Sequence, residues 1–276
     1  MEPISFRKFL NNHRSEPHIQ NNQAKVISVA SGKGGVGKTF FSTSLAKFLV
    51  SKRNKVLVID CDVFLSNCYL SLGVTPQKDI FDLMAGEPIE NCITNIYGID
   101  LISGRSGNEL DSSENYVETI IRITQSLESK YDFIILDCPA GIERKMLSLM
   151  AYSDERIIVL NPNKFSLTDS YSLIKTLKLK FGVNNYSILL NKCDSKIDED
   201  NISNSLLRTC NTFLPDIYIK KLGRINNYNL PTQLNGEIIS SDLIWSNVYE
   251  YLNDNVSSEI LVQPKNHEEM EFRTAF

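Results

Sequence analysis

The chain has 276 residues, 42% of them hydrophobic, with a formal net charge of −4. That is apolar material enough for one large α/β domain or two small ones, without the overall basic field that nucleic acid would call for. Six cysteines with no Cys-x-x-Cys pair, and only three histidines, speak against a zinc or iron–sulfur site, and no 18-residue apolar run offers a membrane span.

Residues 1–24 are polar and rich in Asn and Gln, and are expected to form a flexible leader. Within it Ile4, Phe6, Phe9, Leu10 and His13 share one helix face, with Arg7, Lys8 and Arg14 around it. The segment reads either as a helix packed on the domain or a loose arm, or as a short basic amphipathic element for a membrane or partner. From residue 25 the chain alternates. Apolar strand-like runs fall at 25–30, 55–60, 132–137, 155–160, 186–191 and 217–221, with a weaker one at 99–103. Helical patterns fall at 38–52, 113–129, 142–151, 166–181, 200–213 and 240–253. Continuous apolar strands alternating with helices predict an α/β fold, a doubly wound and mainly parallel sheet with helices on both faces. The expected organisation is the leader over 1–24, a single domain over 25–256 and a loose tail over 257–276. Scattered cysteines without a signal peptide place the chain in a reducing cytoplasm.

Between the first strand and the first helix lie Gly32-Lys33-Gly34-Gly35-Val36-Gly37-Lys38-Thr39. Glycines let the backbone turn and aim N–H groups inward, at a helix N-terminus that adds partial positive charge. Lys38 then reaches the outer phosphates and the Thr39 hydroxyl sits on Mg²⁺, with Phe40 opening the helix. A chance match in a chain this long has odds on the order of 10⁻⁵ to 10⁻⁴. The same string fits Gly-x-Gly-x-x-Gly (Gly32, Gly34, Gly37), with Asp60 about 20 residues on, as a dinucleotide fold requires. Lys33 would crowd that pyrophosphate, however, and Lys38-Thr39 would have no role. Parallel sheets bind ligands beyond the carboxyl ends of their strands, where Asp60, Asp137, Asn161 and Asn191 all fall. Thr39, Asp60 and Asp137 are the expected metal ligands or water-mediated metal contacts, and Asp62 the group that orients an attacking water.

Lys33 is the unusual member, because an ordinary phosphate loop needs no lysine after its first glycine. Lys33-Gly34-Gly35-Val36-Gly37-Lys38-Thr39 resembles the deviant Walker A motif of the MinD/ParA family of ATPases. The resemblance implies ATP and Mg²⁺ as ligands and an ATP-dependent homodimer in which Lys33 reaches the partner's phosphates. It also implies that Lys33, Asp62 and Lys38 are catalytic, that Asp137 to Ile142 is the Walker B and switch segment, and that Asn191 contacts adenine. Gly73-Val74-Thr75-Pro76, Phe81 to Glu87, Leu101 to Gly107 and Ser166 to Lys175 resemble the FlhG (FleN, YlxH) branch, regulators of flagellar number and placement. Asp137 to Glu143 looks more like MinD, the division-site regulator.

That branch implies an FlhF-like GTPase or another flagellar or polar protein as partner, and ATPase activity that is slow and partner-stimulated. The acidic end, Glu268-Glu269-Met270-Glu271-Phe272, departs from the basic membrane helix of such families. Asn191-Lys192-Cys193-Asp194 also spells the guanine motif Asn-Lys-x-Asp; four residues rather than three from Asp137 to Gly141 favour ATP. Three other readings stay open: a MinD-type division regulator, a ParA-type cargo or DNA partitioner, and a nucleotide-binding scaffold or GTPase without useful turnover.

Overall fold

A computed structural model of the chain describes residues 23–62, 66–104, 116–227 and 244–253. The leader apart from Gln23 and Ala24, the string from Arg105 to Gly107, and the tail from 257 onward lie outside the described residues.

Eight strands form one sheet: β1 (Lys25–Ser31), β2 (Val56–Asp60), β3 (Ile93–Ile96), β4 (Ile99–Ile102), β5 (Phe133–Ala140), β6 (Glu155–Leu160), β7 (Asn185–Leu190) and β8 (Tyr218–Arg224). Their order is β3-β4-β2-β5-β1-β6-β7-β8, with every pair parallel except β3–β4. The helices are α1 (Lys38–Ser51), α2 (Cys68–Leu72), α3 (Ile80–Met84), α4 (Ile89–Cys92), α5 (Tyr116–Leu127), α6 (Arg144–Tyr152), α7 (Lys164–Phe181), α8 (Lys196–Phe213) and α9 (Ile244–Asn253). The doubly wound parallel sheet read from the sequence is the one observed.

Strand alternation divides the core between the two sheet faces. On β2, Leu57 and Ile59 join a cluster with buried residues of α5, α6, α7 and α8. Val56 and Val58 join the opposite cluster, with α1, α2 and α9. Central strands are buried but for the first residues of β1 and β6, which is why they read as nearly unbroken apolar runs.

The antiparallel strand β3 and three short helices are additions to the expected order. β3 turns into β4 through Tyr97 and Gly98, both at positive φ (53° and 82°), a two-residue hairpin turn whose twist suits the strands. Two helices begin earlier than their apolar pattern indicates. The Asn163 side chain accepts the Ser166 N–H, and the Ser195 hydroxyl accepts the Asp198 N–H, so the polar first turns of α7 and α8 are helical too.

The last helix matters to the phosphate loop because it packs on α1, the helix that the loop opens. Trp245, 2% exposed, stacks on Phe41 at 5.6 Å between ring centres and tilts against Phe48 at 6.0 Å. Trp245→Ala is expected to cost about 3–5 kcal/mol, read as a lowered urea midpoint by circular dichroism.

Candidate functional site

The site is built where β1, β2, β5 and β7 end together. β1 runs into the glycine loop, and the loop's last glycine starts α1. Gly37 has φ 97°, and a Cβ there would lie 2.2 Å from Asn191 Nδ2 at the end of β7. A side chain is excluded twice, by strain and by contact. Gly32 is fixed by packing alone, since a Cβ there would come within 2.4 Å of the Asp169 backbone on α7.

Lys33, Gly34 and Gly35 are exposed, Val36 is buried, and Lys38, Thr39 and Phe40 are half-buried. The Val36 carbonyl accepts the Asn191 amide at 2.8 Å. Turned with its nitrogen toward them, the Asn161 amide donates to Val36 O at 3.2 Å and to Asn191 O at 3.1 Å. Lys192, at φ 56°, donates from Nζ to the Gly35 carbonyl at 3.2 Å. The loop is thus tied to the ends of β6 and β7. Asp194 is exposed and accepts the Asn227 N–H at 2.7 Å, a loop-fastening bond.

Opposite the loop, Asp60 and Asp137 stand side by side on adjacent strands. Both are buried, Asp60 at 0% and Asp137 at 2% exposure. Thr39 Oγ1 donates to Asp137 Oδ2 at 2.7 Å and Ser42 Oγ to Oδ1 at 2.8 Å. Asp60 accepts the Ser66 hydroxyl at 2.6 Å and the backbone N–H groups of Asp62, Asn67 and Cys68 at 3.1 Å each. Asp62 is half-buried just past the end of β2.

Burial and the neighbouring Asp137 charge push the Asp60 carboxyl up to about 7, against the pull of its Ser66, Cys68 and Asp62 hydrogen bonds. Burial also pushes Asp137 up, countered by Thr39, Ser42, Cys68 and the Lys38 ammonium. Two dry carboxylates facing each other, with a hydroxyl from the loop, are a donor set that a hard divalent cation would neutralise. The residues fit such an ion.

Every residue expected at the site lies on this end of the sheet. Sequence reading passed over Ser42, Ser66 and Cys68, and met Lys192 only within the Asn191-Lys192-Cys193-Asp194 string, not as a group that fastens the loop. Ser42 was accessible to it, standing three residues after Thr39 on one helix face. Ser66 and Cys68 carry no pattern of their own. Phe165 is exposed (76%) and its ring centre lies 6.0 Å from the Lys33 ammonium; Ile142, also exposed (50%), follows Gly141, whose N–H donates to Ser31 O at 3.0 Å.

A glycine loop entering a helix, paired acids at adjacent strand ends and a parallel sheet define a P-loop nucleoside triphosphatase. A family model described as an AAA domain matches residues 24–188. The chain is 29% identical over 205 residues to the antiactivator FleN of Pseudomonas aeruginosa, spanning 73% of each. It is 36% identical over 155 residues to the flagellum site-determining protein YlxH of Helicobacter pylori, which is 55% of this chain but only about half of YlxH (53%). Its fold matches that of the septum site-determining protein MinD of Pyrococcus horikoshii, solved with Mg-ADP, at a TM-score of 0.66 and 24% identity, over 84% of this chain and 96% of that one. The chain belongs to the AAA domain family, as a MinD/ParA-type P-loop ATPase close to the FlhG/FleN branch.

Because the Asp60 carboxyl is raised above its unfolded value near 3.8, the folded chain holds the extra proton between about pH 4 and 7. Stability from this group is present at low pH and is lost as pH rises through about 7. Asp60→Asn is therefore expected to gain on the wild type in metal-free thermal unfolding as pH goes from 5 to 8. A constant difference in Tm across that range would contradict the assignment.

Proposed function

We propose that the chain is a cytoplasmic ATP-dependent switch that dimerises on ATP–Mg²⁺, binds its partner in that state and resets by slow, partner-stimulated hydrolysis. Loop N–H groups from Gly34 to Thr39 cradle the phosphates, and Lys38 binds the outer ones. Thr39 would hold Mg²⁺ directly and Asp60 and Asp137 through bound water, and the ion would supply positive charge to offset that of the phosphate oxygens. Asp62 orients the attacking water, and Asn191 reads adenine beside the loop it fastens. Lys33 acts across the dimer, offsetting the charge that develops on the partner's γ-phosphate. The nucleotide shifts a monomer–dimer equilibrium because both subunits contact that phosphate.

The observation that carries this reading is Lys33 itself. Its ammonium stands at the loop's exposed lip, 6.0 Å from the ring of exposed Phe165, a surface suited to a second copy. The likeness to FleN and YlxH supports a role in flagellar number or placement, with an FlhF-like GTPase or another polar protein as partner. A division-site role is the second reading, favoured by the string from Asp137 to Glu143 and the likeness to MinD. Deleting the gene separates the two by whether flagellation or septum position changes. Among the described residues no helix is long and apolar enough to cross a membrane.

Lys33→Ala is expected to lose the ATP-dependent dimer and on the order of 10²–10³ in turnover. Asp62→Ala should keep the dimer and lose about 10² or more in turnover. Gel filtration with multi-angle scattering, alongside phosphate release, checks both. A Lys33→Ala dimer formed in ATP would overturn the role across the interface.

A further inference from the structure

A soft donor stands among the hard ones at the strand ends. Cys68 opens α2, Asp60 ends β2 and Asp137 lies in β5, and one ligand atom from each lies within 4.8 Å of the other two, all three residues being buried. The Cys68 thiol donates to Asp137 Oδ2 at 3.3 Å. Thr39 Oγ1, 2.7 Å from the same carboxylate oxygen, brings a fourth donor.

The thiol is held there rather than passing by. Its own backbone N–H and that of Asn67 bond to Asp60 Oδ2 at 3.1 Å, so the start of α2 is pinned to one acid while the side chain meets the other. Hard Mg²⁺ takes oxygen ligands and has no use for sulfur, whereas thiolate selects softer ions. A tetrahedral zinc-class ion has metal–sulfur distances of about 2.3 Å and metal–oxygen distances of about 2.0–2.2 Å. Its donors therefore sit roughly 3.3–3.7 Å apart. The Cys68–Asp137 pair, at 3.3 Å, lies within a few tenths of an ångström of the sulfur–oxygen span of about 3.5–3.7 Å, and a contraction on the order of 1 Å brings in Asp60.

We infer that Asp60, Cys68 and Asp137, with Thr39, form a site for a thiophilic divalent ion of the zinc or cobalt class in the nucleotide-free chain. The thiol proton leaves to solvent as the sulfur binds, and no electron is transferred. Only the consequence rests on the proposed ATP–Mg²⁺ reading: the soft ion takes the position of the nucleotide's Mg²⁺, so the two exclude each other. The site then makes the switch answer to free zinc-class metal as well as to nucleotide. Spacing in the sequence could not announce it, because its ligands stand 8 and 69 residues apart on three elements.

The test is a Co²⁺ titration of the reduced, nucleotide-free full chain, read by absorption. Sulfur bound to Co²⁺ gives a charge-transfer band in the near ultraviolet, which reports the site without any activity measurement. A saturating band is expected, absent in Cys68→Ser and retained in the double variant Cys61→Ser/Cys138→Ser, whose thiols lie just past the two acids. Zn²⁺ should displace Co²⁺, and its affinity should fall at least ~10-fold in Cys68→Ser.

No band in the wild type, or a band surviving in Cys68→Ser, would overturn the inference. Should Cys68→Ser misfold by circular dichroism, Asp137→Asn with all cysteines intact is expected to weaken the band, and an undiminished band would overturn it. Mg²⁺ and a non-hydrolysable ATP analogue should then bleach the band. If the analogue binds and the band stays, the shared position is wrong while the soft-metal site stands. If the analogue does not bind at all, the nucleotide reading fails and the metal result is untouched.

Discussion

Two carboxylates forced together in a dry place set the terms for the rest of this molecule. With their oxygens within 4.8 Å, Asp60 and Asp137 would repel by about 3–4 kcal/mol at an effective dielectric of about 20 if both were ionised. Hydrogen bonds from Thr39, Ser42, Ser66, Cys68 and three backbone N–H groups share that load but do not cancel it. What holds the strand ends together is the pair of apolar clusters behind them, one on each face of β2, β5 and β1. The core stabilises a frustrated site, and the frustration is relieved by whatever cation arrives. Any affinity of this site for a cation would thus be a property of the whole sheet.

The same economy governs the loop. Asn161 and Asn191 reach from β6 and β7 to one carbonyl, Val36 O, while Asn191 also fills the space that a Cβ on Gly37 would need. Lys192 adds a bond to Gly35. The glycine loop and the ends of β6 and β7 are therefore tied into one hydrogen-bonded unit. On its far side Gly32 lies against α7, whose first turn carries Phe165. A change in the loop's position is felt at Asn191 and at the start of α7 together.

Much of this was legible beforehand, and the reasons are specific. Central parallel strands buried on both faces cannot hide, since every residue of β2 had to be apolar until Asp60. The glycine loop was legible because each element of it answers to a separate physical demand. β3 was missed because Tyr97 adopts a left-handed conformation that a tyrosine disfavours, so Gly98 alone gave a weak hairpin signal. The early starts of α7 and α8 were missed because caps, and not apolar spacing, define them. Cys68 was illegible in principle: its meaning lies in the distance from its sulfur to an oxygen far away in the chain.

Lys33 presents the last asymmetry. Lys38 is half-buried, close enough to Asp137 to draw that carboxyl down, and so belongs to the chain's own charge balance. Lys33 is exposed, with a ring contact at 6.0 Å that is worth only about 0.5–1 kcal/mol at an exposed site. A cation held so lightly is released at little cost when a larger field competes for it; on the proposed reading, a triphosphate brought up by a second copy would supply such a field. On the proposed reading, the chain keeps one lysine for its own nucleotide and holds the other in reserve for its partner's.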